Sequence, residues 1–215
     1  MSATTILLQA AILGIILAIF IALQYLPKQA LTKHHYQNRA TIQSKSHLIQ
    51  GSHLLARARS TPHKTKAQSL AKTALNEAEM ALSISPKDPA ALILKGSSLE
   101  IMGHKSSALK SLVLALSSPR VKSLADRERG DALVKRAELK LEVNKRRRVD
   151  SAVEDLEEAI RLLSQGKCNP RALCLLGECY ELKGRTVEAK RAFEEALEVE
   201  PGFVASRQGL ARLGS

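Results

Sequence analysis

Tryptophan is absent, and aromatic residues make up only 3% of the 215 residues. That scarcity argues against a β-sandwich, a propeller, or a nucleic-acid platform built on stacked bases. Cysteine occurs three times, too few for a disulfide scaffold. Acidic residues are missing from the start of the chain: the first is Glu77. The familiar catalytic signatures are missing too: there is no GxSxG, P-loop, HExxH or GxGxxG. The chain therefore reads as a non-enzyme with no cofactor. What remains is 45% apolar and 25% charged, an ordinary globular balance, with a formal charge of +12.

Residues 1–27 carry no Lys, Arg, Asp, Glu or His, and Ile6 to Leu26 is apolar apart from Gln9 and Gln24. At 1.5 Å per residue this run covers about 30 Å, the hydrocarbon thickness of a bilayer. A cleaved signal peptide would start with a basic side chain and end in a small-x-small site; a transit peptide would be rich in Arg. None of these is present, so the expectation is an uncleaved single-pass anchor ending or kinking at Pro27. The flank that follows is basic: Lys28, Lys33, Arg39, Lys45, Arg57, Arg59, Lys64, Lys66 and Lys72 precede any carboxylate. The positive-inside rule then places the rest of the chain on the cytosolic side. The membrane is left open among the mitochondrial or chloroplast outer membrane and the endoplasmic reticulum. His34, His35, His47, His53 and His63 lie in the same flank without a recognisable ligand spacing. They read as part of a polar, solvated helix and not as a metal site. The expected segments are an anchor at 1–27, a basic juxtamembrane helical segment at 28–65 and a helical domain at 66–215.

The helical domain repeats itself. Leu173-x2-Leu176-Gly177-x2-Tyr180 is followed by Ala189-x3-Phe193-x2-Ala196 and then Pro201. A second copy reads Leu92, Gly96, Leu99, then Ala108-x3-Leu112-x2-Ala115, with Lys95 in place of an apolar residue. Ala74-x3-Ala78-x2-Ala81 and Ala152-x3-Leu156-x2-Ala159 are two further second helices. Ala74 and Ala108 lie 34 residues apart. The pattern closely resembles the tetratricopeptide repeat, whose period is 34 residues, with Leu173 in the place of the leading Trp. Wider spacings between later copies leave room for a long helix over 124–143, a basic turn at Asn144–Val149 and a linker at Ser164–Pro170. Asp88-Pro89 and Asn169-Pro170 read as capped helix starts, and Gly103 and Gly184 as positive-φ helix ends. Residues 203–213 read as a capping helix. The fold class is therefore all-α: the anchor, then a solenoid of three to four helix pairs. A helical segment over 36–59 is a candidate first helix of the first pair, with Pro62 interrupting its path to the second.

The resemblance implies a protein-binding scaffold that holds a peptide or helix in the groove lined by the first helix of each pair. Ile93, Ser97, Arg171, Leu175 and Cys179 are the candidate groove residues, against the competing reading that most of them are inter-repeat packing. Some family members grip a chaperone's C-terminal carboxylate with a cluster of Lys, Asn and Arg. Of the matching places here only Arg171 is compatible, so clamp-type binding is not expected. Lys145, Arg146, Arg147 and Arg148 form the densest basic patch; with no aromatic interleaved, nucleic-acid binding is not expected. Cys168, Cys174 and Cys179 lack CxxC spacing and read as reduced packing residues. The functional expectation is a receptor-like adaptor on the cytosolic face of a membrane. The alternative is a structural subunit or assembly factor of an integral membrane complex.

Overall fold

The computed structural model describes the backbone of residues 3–163 and 169–214, and within these the side chains of 7–21 and from 39 onward. The expected linker at 164–170 lies mostly outside the described residues, as does Cys168. The described elements are α1 (Ala3–Ser60), α2 (Lys64–Ile84), α3 (Pro89–Ile101), α4 (Lys105–Leu116), a 3-10 turn (Val121–Ser123), α5 (Asp126–Leu163), α6 (Pro170–Leu182), α7 (Thr186–Val199) and α8 (Val204–Leu213). The chain divides into two compact units, residues 1–45 and 46–215.

The first unit corrects the membrane expectation. Among the described residues, no helix is long and apolar enough to cross a membrane. The single-pass anchor, its signal-anchor orientation, the cytosol-facing placement and the candidate organelles all fall with that finding. The apolar residues are not a helix of their own, and the helix does not stop at Pro27. α1 continues through it to Ser60, past Arg39 and Lys45.

The second unit is a helical solenoid that begins at Ser46, ahead of the expected boundary at 66. Residues 46–60 act as the first helix of the first pair: Leu55 packs with Ala74 and Ala78 of α2 and Leu94 of α3. Gly51 allows this approach, since a Cβ there would lie 2.5 Å from Leu94 Cδ2. His47 Nδ1 meets Glu77 Oε2 at 2.7 Å, so this histidine joins α1 to α2. Pro62 falls in the turn between them. α3 and α4 form the second pair, the two halves of α5 the third, and α6 with α7 the fourth; α8 packs on the last pair.

Local chemistry explains these boundaries. Asp88 Oδ1 accepts from Ala90 N at 2.9 Å and Asn169 Oδ1 from Arg171 N at 3.0 Å, each with Pro at the first helical position. Such caps contribute about 1 kcal/mol each by satisfying donors the helix leaves free. α3 and α6 end alike. Gly103 (φ 88°) and Gly184 (φ 71°) take the left-handed conformation. This lets His104 N reach Leu99 O and Arg185 N reach Tyr180 O, both at 2.9 Å. Lys95, out of pattern in the repeat, is half-buried and donates to Glu79 Oε1 of α2 at 3.0 Å.

The third pair departs from the expected basic turn at 144–149. Only Asn144 leaves helical geometry (φ −159°, ψ 92°), and residues 145–148 already belong to the second helix. The turn is this short because the Asn144 side chain accepts from Arg147 N at 3.1 Å, capping the second helix at once. The two halves are then tied by a nearly buried carboxylate. Asp155 receives Arg136 through Nε (2.9 Å) and Nη2 (2.5 Å), and Lys140 through Nζ (2.7 Å).

Candidate functional groove

The first helices of the four pairs line a cleft of about 450 Å³ in the second unit. Residues 46–60 supply Ser52, Leu55 and Arg59; α3 supplies Ala90, Ile93, Leu94 and Ser97. The first half of α5 supplies Glu128, Asp131, Lys135 and Glu138, and α6 supplies Arg171. Its volume lies within the range of ordinary binding clefts. Leu55, Ile93, Leu94, Leu112, Leu124 and Val134 belong to the apolar part of the lining, and charges of both signs stand beside them.

One wall is an ion-pair chain. Lys135 Nζ donates to Glu100 Oε1 at 3.1 Å and to Glu138 Oε2 at 2.8 Å, and the other Glu138 oxygen receives Arg171 Nε. Burial pulls the Lys135 ammonium down, but the Glu138 and Glu100 carboxylates outweigh it and hold its pKa above the ordinary value. Lys135 is thus a fixed cation at neutral pH. Glu138 is only 8% exposed, and its two cations are what make its burial tolerable. Arg59 and Asp131 are exposed on the lining without an ion-pair partner among the described residues. Lys135, Glu138 and Arg171 are therefore set, whereas Arg59 and Asp131 are available to an incoming chain.

Of the sequence candidates, Ile93, Ser97 and Arg171 line the cleft. Leu175 is half-buried against the core between α5 and α6, and Cys179 lies fully buried inside that core. These two pack the repeats and do not face the cleft. The α5 contribution escaped the sequence reading because no repeat signature marks that helix; the sign was its own charge pattern, Glu128, Asp131, Lys135 and Glu138, at three- and four-residue steps. Lys145 to Arg148 stand exposed at the opening of the second half of α5. Among the described residues no group of three or more His, Cys, Asp or Glu is placed to hold a metal.

Burial raises both described thiols, Cys174 above its ordinary value and Cys179 to about 11. The thiolate is the reactive form, so both are inert when the chain is folded. Iodoacetamide at pH 8 is expected to leave Cys174 and Cys179 unmodified in the native chain and to alkylate them in urea. Peptide mass spectrometry reads this out, and rapid native alkylation of either would show that the core is not closed around it.

Residues 170–203 match a family model described as a tetratricopeptide repeat. Among solved structures, a crystal structure of MamA is similar at TM-score 0.60 and 18% identity, over 80% of this chain and 80% of that one. MamA from residue 41 to its end, from Desulfovibrio magneticus RS-1, gives TM-score 0.60 and 17% identity, over 80% and 84%. YrrB, described as a TPR protein with an unusual peptide-binding site, gives 0.56 and 18%, over 66% and 67%. No curated relative matches the sequence. Identities this low speak to the fold, and the matched repeat speaks to the family. Residues 170–203 are thus a tetratricopeptide repeat by their match, and the paired helices with positive-φ glycines between them give the second unit the fold of such repeats.

Proposed function

We propose that the chain is a protein-interaction scaffold whose cleft holds a short segment of a partner protein. The observation that carries this reading is the cleft itself: about 450 Å³, lined by the first helices of four successive pairs, with apolar side chains beside Arg59 and Asp131, two opposite charges with no ion-pair partner among the described residues. An occupant matching it has a small apolar anchor against Leu55, Ile93 and Leu94, a carboxylate for Arg59 and a cation for Asp131. Such a segment gains from apolar burial and takes its direction from the charges. The peptide-binding site named for YrrB supports a groove role on this fold. Arg171 is already engaged by Glu138, which weighs against its use in a carboxylate clamp. The alternative, a structural subunit or assembly factor of an integral membrane complex, is favoured by no observation among the described residues.

A displayed random-peptide library selected on the full chain tests this. Selected peptides are expected to lose at least about tenfold in affinity against Ser52→Trp, which fills the cleft from an exposed position. Fluorescence anisotropy measures the loss, with circular dichroism as the folding control. Unchanged binding to Ser52→Trp, or a library that yields no binder, would reject the groove as the site.

A further inference from the structure

We infer that the edge of the solenoid formed by the turns inside the second, third and fourth helix pairs is a second docking surface, for an acidic peptide segment of a partner. Ion pairs place these turns side by side. Lys105 Nζ at the start of α4 reaches Glu142 Oε2 at the end of the first half of α5, at 3.3 Å. Lys183 Nζ at the end of α6 reaches Asp150 Oδ1 in the second half of α5, at 2.5 Å. The Asn144 turn therefore sits between its neighbours on one edge. Arg185 in the last turn pairs with Glu188 at 2.8 Å.

These pairs neutralise the flanking turns and leave the middle one alone. Lys105, Lys183 and Arg185 each have a carboxylate. Lys145, Arg146, Arg147 and Arg148 are all exposed, and none has an ion-pair partner among the described residues. The carboxylate one turn beyond Arg146, Asp150, is taken by Lys183. The cations also stand at the start of a helix, where the backbone dipole does nothing to offset them. Lys145 lies within electrostatic reach of Glu181, but the three adjacent arginines have no ion-pair partner among the described residues; they attract an anion, and each is a fork that grips a carboxylate in a pair of bonds.

The surroundings favour an acidic peptide over a nucleic acid. Base stacking needs a free aromatic face. Of the edge's aromatic residues, Tyr180 has Arg185 over its ring at 4.6 Å, and its hydroxyl donates to Glu157 at 2.7 Å. What the edge offers is charge alone, at an exposed turn that an extended acidic segment reaches without displacing anything. This surface is separate from the cleft, so the inference stands or falls apart from the groove reading.

The test is the full chain with a fluorescein-labelled ten-residue polyglutamate peptide, followed by anisotropy at low salt. Arg146→Gln, Arg147→Gln and Arg148→Gln combined are expected to weaken binding about tenfold. A control with the same charge loss elsewhere, Lys87→Gln, Lys110→Gln and Lys122→Gln, stays within about twofold, as does the cleft-filling Ser52→Trp. Equal weakening by both triple variants would overturn the inference in favour of diffuse charge. Loss of binding in Ser52→Trp would move the peptide into the cleft and overturn it as well. So would no binding by the unaltered chain. A single-stranded RNA decamer that binds more tightly through the same three arginines would replace the peptide with a nucleic acid.

Discussion

Phe193→Ala is expected to destabilise the last helix pair by about 3–5 kcal/mol, the cost of emptying a large aromatic from a closed core. Phe193 is fully buried with Cys174 and Ala189, and Tyr180, Phe203, Leu210 and Leu213 pack around it. Two glycines press on its ring. A Cβ on Gly177 of α6 would lie 2.7 Å from Phe193 Cε1, and one on Gly209 of α8 would lie 2.5 Å from Phe193 Cζ. No side chain fits in either gap while the ring is present. Gly177→Ala is accordingly expected to cost about 1–3 kcal/mol by overpacking. Combined with Phe193→Leu it should cost less than the sum, because the smaller side chain relieves the clash. Urea unfolding of the single and double variants gives the coupling. Solenoid repeats contact mainly their neighbours, so hydrogen exchange should rise over 170–213 and change little over 64–116. Uniform loss of protection along the solenoid would show that Phe193 does not act locally.

Asp155→Ala is expected to cost about 3 kcal/mol, since it strands two cations. The Asp155 side chain is 5% exposed, and those of Arg136 and Lys140 only 19% and 11%. Lys140 also donates to Ser151 O at 2.7 Å, so three residue pairs of the network cross the Asn144 turn. Asp155→Leu together with Arg136→Met and Lys140→Met is expected to recover most of the loss, because apolar groups of similar size need no partner. The surface pair Lys190–Glu194, 3.8 Å apart and well exposed, sets the contrast: Lys190→Ala should change stability by less than about 0.5 kcal/mol. Chemical denaturation measures all three. A loss below about 1 kcal/mol in Asp155→Ala would mean that water takes the carboxylate's place.

Much of the architecture was legible because it is local. The Leu176-Gly177 and Ala189-x3-Phe193 spacings mark where two helices meet, and Asp88-Pro89, Asn169-Pro170, Gly103 and Gly184 mark where helices begin and end. Each such signal is a property of a few adjacent residues. The third pair was less legible. A run of Lys and Arg after Asn144 looked like a turn, yet one side-chain hydrogen bond from Arg147 N is enough to start the helix there. The apolar start of the chain misled in the opposite way. Its hydropathy suggested a span, but hydropathy does not say where the helix ends, and α1 runs on through Pro27.

The groove was legible only in part. Ile93, Ser97 and Arg171 followed from the repeat, whereas Ser52, Arg59, Glu128 and Asp131 sit on helices with no clear signature. Cys179 shows the limit from the other side: two positions from a glycine of the motif, it turns into the core and not toward the cleft. The sequence by itself determined the helices, their caps and their pairing rhythm, since these depend on neighbours within a few residues. Only the tertiary structure decided which faces stay open and which charges remain unpaired. Those depend on partners about 30 residues apart in the chain, such as Glu138 with Arg171 and Asp150 with Lys183, and a one-dimensional pattern does not record them.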